Sequence, residues 1–396
     1  MSAAARQPED IDLLDVTVFQ ERREHDVFAR LREFGEPFFH REPDGPGFYA
    51  LTRFEHVHEA ARRNELFLSG RGTQIPDKRA EGEGAPSLHN ADPPVHTRLR
   101  RIGKRAFARD LLEARRERIG EIVRELIAGT PRAEAFDFVD AIALRIPMAV
   151  FGEVLGVPEA DREYLVEHAN TMSSVLAGTD EQAAARGTLF EYFRELAAER
   201  RRRPGEDVAT ALVAGDGEGG ELSPEELDAY FLLLVVAGNE TTRFLLAGGL
   251  EQLLLEPELL AALWAEPALI PAAVEEMVRW VTPVMHMRRT LAEDGEVFGV
   301  EAPAGTKFVL YFASANRDEE AFDEAQRFLP DRRPNRHVGF GVGAHFCLGA
   351  HLARMETQIF LEEMLSAIRH CELVAPGRRL PSHWITGLER LEIRWR

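Results

Sequence analysis

Cysteine is nearly absent: 396 residues contain two, Cys347 and Cys371. A disulfide framework is thereby excluded, a reducing compartment is compatible with the sequence, and a thiol stays available for chemistry. Long apolar runs are lacking as well. The opening MSAAARQPEDIDLLD has no signal-length apolar stretch, and no later segment approaches the uninterrupted run of about 20 residues that crosses a bilayer, so a soluble, cytoplasmic protein with no membrane association is expected. Positive charge is in deficit, with 48 Lys and Arg against 67 Asp and Glu and a formal net charge of -19. That excludes a generally nucleic-acid-binding surface, because neutralising phosphates needs a basic footprint. Any basic patch must be local. There is no internal repeat or heptad array, no GxGxxG following a strand, and no cysteine cluster for an iron–sulfur centre.

What is there describes a folded chain: 45% of residues are apolar and 29% charged. The length allows two or three domains, yet nothing splits it, and residues 1–396 are expected to form one compact domain. EPFFHR and GFYALT, within about 30–60, are short β-rich runs separated by Pro43, Gly45 and Pro46 and predict a hairpin. RGTQIPDKRAEGEGAPSLHNADPP, about 71–94, is crowded with Gly, Pro and charge and predicts a long irregular loop of functional type, on the substrate side. From about Asp92 to Thr290 apolar residues recur at three- and four-residue intervals, the mark of helices. PGEDVATALVAGDGEGGELS is expected to be a surface connection. EVFGV, KFVLYFA and LEIRWR supply further short strands, so the class is mainly α with small β-sheets.

Three constellations carry chemistry. In Phe340-Gly341-Val342-Gly343-Ala344-His345-Phe346-Cys347-Leu348-Gly349 a lone cysteine sits between a Gly-rich loop and a helix start. The glycines permit positive-φ backbone and close approach to a flat ligand, and the following helix points its positive end at the sulfur, favouring a thiolate. A buried free cysteine beside a Gly turn is the plain alternative. Cys371 has no such surroundings and reads as an ordinary core or near-surface residue.

The second constellation lies in a helix that Ser223-Pro224-Glu225-Glu226 starts and Pro257 stops, spanning about 224–256. In its middle Ala237-Gly238-Asn239-Glu240-Thr241-Thr242 interrupts apolar sequence: a satisfied kink, a surface turn, or a polar site inside a core. Leu233, Val236, Ala237, Glu240 and Thr241 follow i, i+3, i+4, i+7, i+8 and share a face. The third is a set of charged pairs: His96 and Arg100 one helical turn apart after Pro93-Pro94, and Glu276 and Arg279 at i, i+3. Each is a solvated face or surface pair when taken alone.

Together these segments resemble the cytochrome P-450 family from about Asp92 to the C-terminus. FGxGxHxCxG resembles its haem-ligand signature, Glu276-Met277-Val278-Arg279 its ExxR, and AGNETT its AGx(D/E)T(T/S). The resemblance implies the α-rich triangular-prism P-450 fold with a long helix over haem b, and Cys347 as axial iron ligand, its donation favouring O–O cleavage. It implies a haem-binding set of His96, Arg100, Arg289 and His345 at the propionates, with Phe340 and Gly349 at the ends of the thiolate loop. It implies a structural cluster of Glu276, Arg279 and Arg332. Glu240 and Thr241 are the implied proton relay to oxygen, and Leu233, Val236, Ala237, Val284 and Met285 the substrate pocket.

The implied activity is insertion of one atom of O2 into a C–H or C=C bond of an organic substrate. Electrons would come from a separate ferredoxin and NAD(P)H-dependent reductase, with Arg98, Arg101, Lys104, Arg105 and Arg354 as a local docking patch. A monomer is expected. The ETTR and ANRDE variants match bacterial groups that tailor natural products on acyl or peptidyl carriers and groups that hydroxylate sterols or branched lipids. Compactness directs the expectation to hydroxylation in natural-product biosynthesis, with the lipid reading second. A non-catalytic haem-thiolate sensor or binding protein is the rival of another class, and peroxide-driven catalysis a rival within catalysis; the Glu240-Thr241 pair argues against both.

Overall fold

In the computed structural model, residues 10–76, 85–173, 178–217 and 220–396 are described. They fall into two compact units. The described residues are 54% helical with small sheets.

The first unit takes residues up to 83, 244–347 and 372–393. Phe38–His40 and Phe48–Leu51 form the expected antiparallel hairpin. Its second strand pairs in parallel with Lys307–Tyr311, which pairs antiparallel with His286–Leu291, and Phe67–Leu68 closes the five-stranded sheet. Both faces are covered, and the period-two alternation divides the core between them. Val309 and Tyr311 pack with Phe19, Phe28 and Phe48, whereas Phe308 and Leu310 pack with Val57, Phe67 and Leu291. Glu24–Phe34, Phe54–Arg62, Pro257–Ala265 and Ile270–Val281 are the unit's principal whole helices.

The 71–94 segment is described except for 77–84, and its start is stapled to the sheet. The Arg288 guanidinium, 1% exposed, donates to the carbonyls of Arg71, Gly72 (3.1 Å) and Ile75 (3.4 Å), while Lys307 Nζ donates to Ile75 O at 3.0 Å. Gly72 has φ +109°, and a Cβ there would stand 2.4 Å from Arg288 Nη2, so only glycine serves. Leu88–Asn90 adds a turn of 3-10 helix.

The second unit takes 84–243, 348–371 and the last three residues, and is helical. Arg116–Ala128 packs against Ala350–Ala367, tied by Arg116–Glu362 (2.9 Å) and Arg124–Glu363 (2.6 Å) ion pairs. Glu159–Ser173 packs against Thr179–Arg202. Val208–Ala214, expected to be surface connection, is instead a helix. Asp207 caps it by accepting the Thr210 amide at 2.7 Å, and Val208, Ala209 and Leu212 bury one face against neighbouring helices. The chemistry of the cap outweighed the Gly-rich sequence that follows.

Pro224–Leu255 runs 32 residues without a break, its part up to Arg243 in the second unit and its remainder in the first. By length and composition it is apolar enough to cross a membrane, but half of its most apolar stretch is buried inside the protein. Asp228, Asn239, Glu240 and Arg243 interrupt it. Against Val95–Ala106 it packs closely: a Cβ on Gly103 would lie 2.0 Å from the Tyr230 hydroxyl oxygen and 2.8 Å from Leu348 Cδ2. The same Tyr230 hydroxyl donates to Leu99 O at 3.2 Å.

Candidate active site

In the first unit the thiolate loop is set by backbone geometry. Gly341 and Gly343 have φ +68° and +74°, in the left-handed region that suits glycine. The amide of Cys347 donates to Phe340 O at 2.8 Å, closing the loop, and Phe346 packs its ring 6.3 Å from that of Phe340. Cys347 is exposed. The chain itself approaches closely at Gly343: a Cβ there would be 2.7 Å from Ala61 O. His345 Nε2 lies 3.2 Å from Ser69 Oγ, and Arg289, 5% exposed on the central sheet, donates to Arg288 O at 2.8 Å. Gly349 opens the helix Ala350–Ala367, accepting the Ala353 amide at 2.9 Å.

Beneath the loop Glu276, Arg279 and Arg332 meet as one buried cluster. Glu276 and Arg279 are 0% exposed and bonded at 2.7 and 2.8 Å, and Arg332 Nε donates to both oxygens of Glu276 at 3.1 Å. Burial raises the Glu276 carboxyl's pKa, but the Arg279 hydrogen bond and charge, the Leu329 amide and Arg332 outweigh it and hold it below its ordinary value. Arg279 also donates to the carbonyls of Asn316, Ala325 and Arg327 at 2.7–2.9 Å. The cluster therefore fixes the path of the 324–335 segment that leads into the thiolate loop.

Asn316 completes that path, and sequence reasoning missed it. Its amide donates to Thr282 Oγ1 at 2.8 Å and its carbonyl accepts the Val338 amide at 2.7 Å. The ANRDE segment carried the signal, yet it served only for comparison with relatives. Val284 is half-buried and bridged antiparallel to Ile385. Met285, 1% exposed, packs in the core with Phe19, Phe28 and Tyr311. Residues 384–386 were also missed: Trp384 O accepts the Met285 amide at 2.9 Å and the Thr386 amide donates to Pro283 O at 2.8 Å.

In the second unit His96 is 3% exposed on Val95–Ala106, and Arg100, one turn on, is half-buried. On the long helix Leu233, Val236, Glu240 and Thr241 are half-buried and Ala237 exposed, while Leu234, Val235, Asn239 and Thr242 on the other side are buried. The Thr241 hydroxyl donates to Ala237 O at 2.7 Å. The Glu240 carboxylate lies 3.9 Å from the Arg243 guanidinium; burial raises its pKa and Arg243 opposes the rise. Gly238 is not forced by packing, since a Cβ there would meet only Phe151 at 3.9 Å.

The basic patch is largely spent on internal partners. Arg98 pairs with Glu226, Arg101 Nε donates to Asp216 at 2.8 Å, and Arg105 donates to the Asp216 carbonyl. Lys104 is exposed and Arg354 half-buried.

An exposed thiol on a left-handed glycine loop, with a buried arginine and a histidine in the same unit, suits a thiolate-ligated haem and its anionic edge. A sequence model of the family described as Cytochrome P450 matches residues 13–382. The chain belongs to the cytochrome P450 family. This P450 is similar to the steroid C26-monooxygenase of Rhodococcus jostii, with 34% identity covering 98% of this chain and 85% of the relative. It is similar to the methyl-branched lipid omega-hydroxylase of Mycobacterium tuberculosis, with 35% identity covering 98% and 95%. A solved structure of Mycobacterium marinum CYP268A2 in complex with pseudoionone superposes with TM-score 0.89 and 34% identity, covering 99% and 100%.

The protein is thus a P450 monooxygenase that uses haem b, dioxygen, an organic substrate and redox partners. When bound, haem ligated by a cysteine thiolate activates dioxygen for insertion of one oxygen atom into the substrate.

Proposed function

We propose that this P450 hydroxylates a sterol or a methyl-branched lipid. The observation that carries the reading is that relatives 34% and 35% identical along 98% of the chain are a steroid C26-monooxygenase and a methyl-branched lipid omega-hydroxylase. Natural-product tailoring on a carrier, the first expectation from sequence, has no comparable support. The helix face of half-buried Leu233 and Val236 with exposed Ala237 is apolar and suits an apolar substrate, and Val284 and Met285 are further residues that this reading assigns to substrate contact.

Within this reading Cys347 would supply the thiolate that ligates the haem iron, His96, Arg100, Arg289 and His345 would each bind propionate oxygens, and Phe340 and Gly349 would frame the ligand loop. Glu240 and Thr241 deliver protons: burial keeps the Glu240 carboxyl ready to hold a proton, and the Thr241 hydroxyl stands one residue on. Glu276, Arg279 and Arg332 hold the fold around the ligand loop. Residues 1–396 act as a single catalytic domain of a cytoplasmic monomer, a reading supported by the one family model that spans residues 13–382. Electrons come from a ferredoxin and its NAD(P)H-dependent reductase.

The test is a spin-state titration followed by turnover with surrogate ferredoxin and reductase. It compares a sterol with an intact side chain, a methyl-branched fatty acid, and an acyl group on a carrier protein. A high-spin shift and a hydroxylated product from either free lipid is expected. Shift and turnover with the carrier-bound group alone would overturn the lipid reading.

A further inference from the structure

The first unit contains a polar cavity of about 180 Å³ lined by Arg22, His25, Glu251, Trp280, Arg317 and Arg379, with apolar neighbours. None of these residues belongs to the site described above. Their charges do not cancel. Arg22 forks onto Glu251 at 2.7 and 3.0 Å and also donates to Gly377 O at 2.9 Å. Arg379 donates to Glu24 at 3.1 Å. Arg317 makes no ion pair among the described residues, so three guanidinium groups meet two carboxylates in a chain whose net charge is -19.

Arg317 is the decisive group. It is 6% exposed, its guanidinium carbon lies 3.2 Å from the centroid of the Trp280 ring, and one Nη donates to Trp280 O at 3.3 Å. Its Nε is buried with no hydrogen-bond partner among the described residues, as is Nδ1 of His25. Burial, then repulsion from Arg279, pushes the Arg317 pKa well below the ordinary arginine value. His25 is likewise driven toward its neutral form, first by burial and then by Arg317, Arg379, Arg32 and Arg279. Glu276 and Glu24 attract the Arg317 charge but do not offset its burial and the repulsion from Arg279 and Arg379. His25 stands in the first turn of the 11-residue helix Glu24–Phe34, whose positive end adds to the positive charge there. A buried cation without a counter-charge is costly, and a planar guanidinium fork matches the oxygens of a carboxylate or phosphate.

We propose that this cavity is a binding site for a small oxyanion, a phosphate or a carboxylate, held by Arg317, Arg379 and His25. The bound anion supplies the missing counter-charge and ties the helix Glu24–Phe34, the end of Ile270–Val281 and the strand Arg378–Arg379 together within the unit. Arg22, already engaged by Glu251, contributes through its charge.

The test titrates the haem-loaded enzyme with inorganic phosphate in one arm and succinate in another, with sodium chloride at matched ionic strength as reference. Heat of binding and thermal midpoint are read. Saturable binding of one anion per chain is expected in at least one arm, and the responding arm assigns the source. Affinity should fall by about tenfold or more in Arg317→Gln, because a charged hydrogen-bonding partner is lost. Arg22→Gln, at a more exposed side chain, removes one lining cation and frees Glu251 to repel the ligand; it should weaken binding severalfold even if Arg317→Gln does not fold. Phosphate and succinate acting no differently from chloride, or binding unchanged in the variants, would overturn the proposal.

Discussion

At the scale of single residues, the two cysteines are separated by backbone context rather than by their own chemistry. Cys347 is exposed on a loop closed by its own amide, whereas Cys371 is buried at the start of a short strand. Cys347→Ser is therefore expected to abolish the red-shifted Soret band of the ferrous carbonyl complex, and Cys371→Ser to retain it. A normal carbonyl spectrum from the Cys347 variant would remove the basis of the ligand assignment. Thr241 permits a sharper experiment, because its hydroxyl already donates to Ala237 O along the helix. Thr241→Ala should bind haem and substrate but yield several-fold less product per NADH consumed, with hydrogen peroxide making up the difference. Thr241→Ser, which keeps the hydroxyl, should recover much of the coupling. Glu240→Gln should slow oxygen-dependent turnover. Coupling in Thr241→Ala equal to wild type would return the hydroxyl to a purely structural role.

At the scale of elements, the long helix and Val95–Ala106 depend on one glycine. Any side chain at Gly103 meets both Tyr230 and Leu348, so Gly103→Val should cost about 1–3 kcal/mol through overpacking, measured by denaturant unfolding. The segment feeding the thiolate loop hangs on the Glu276 cluster. Replacing Arg279 by Met leaves Glu276 buried with fewer donors, and a loss of about 3–5 kcal/mol is expected. The basic patch divides in the same way. Arg101→Glu sets two carboxylates together at Asp216 and should lower the thermal midpoint. Lys104→Glu should leave stability unchanged and slow reduction by ferredoxin, with the difference shrinking at high salt as the attraction is screened. No effect of Lys104→Glu on reduction at any salt concentration would remove this face from the docking proposal.

For the molecule as a whole, two buried carboxyls give opposite pH dependences. Glu276 has its pKa lowered on folding, so its contribution is present above the unfolded value of 4.5 and is lost as pH falls through the folded value. Glu356 is 3% exposed on Ala350–Ala367 with one oxygen lacking a partner among the described residues, and burial raises its pKa well above 4.5. Folding then favours its protonated form, which costs nothing below 4.5 and progressively destabilises the protein as pH rises toward the folded value. Glu356→Gln should accordingly raise the thermal midpoint at neutral pH, and the gain over wild type should shrink toward zero near pH 4.5. A gain that is constant with pH would show that the carboxyl is not held protonated.

The sequence by itself determined the family, the long helix from Pro224, the Phe38–Leu51 hairpin and the cysteine with a ligand-type loop. Each is encoded over a short span, through period, capping residues or fixed spacing, and needs no distant partner to be read. Only the tertiary structure decided the rest. Met285 follows half-buried Val284 in the chain, yet it packs into a core shared with Phe19 and Phe28. Arg101 and Arg105 look like a free basic face, yet Asp216, more than a hundred residues away, engages both. Arg288 stapling the 71–76 carbonyls, and Asn316 joining Thr282 to Val338, follow from no local pattern. Which charge finds which partner, and which side of a strand faces the core, depends on segments that meet only when the chain has folded.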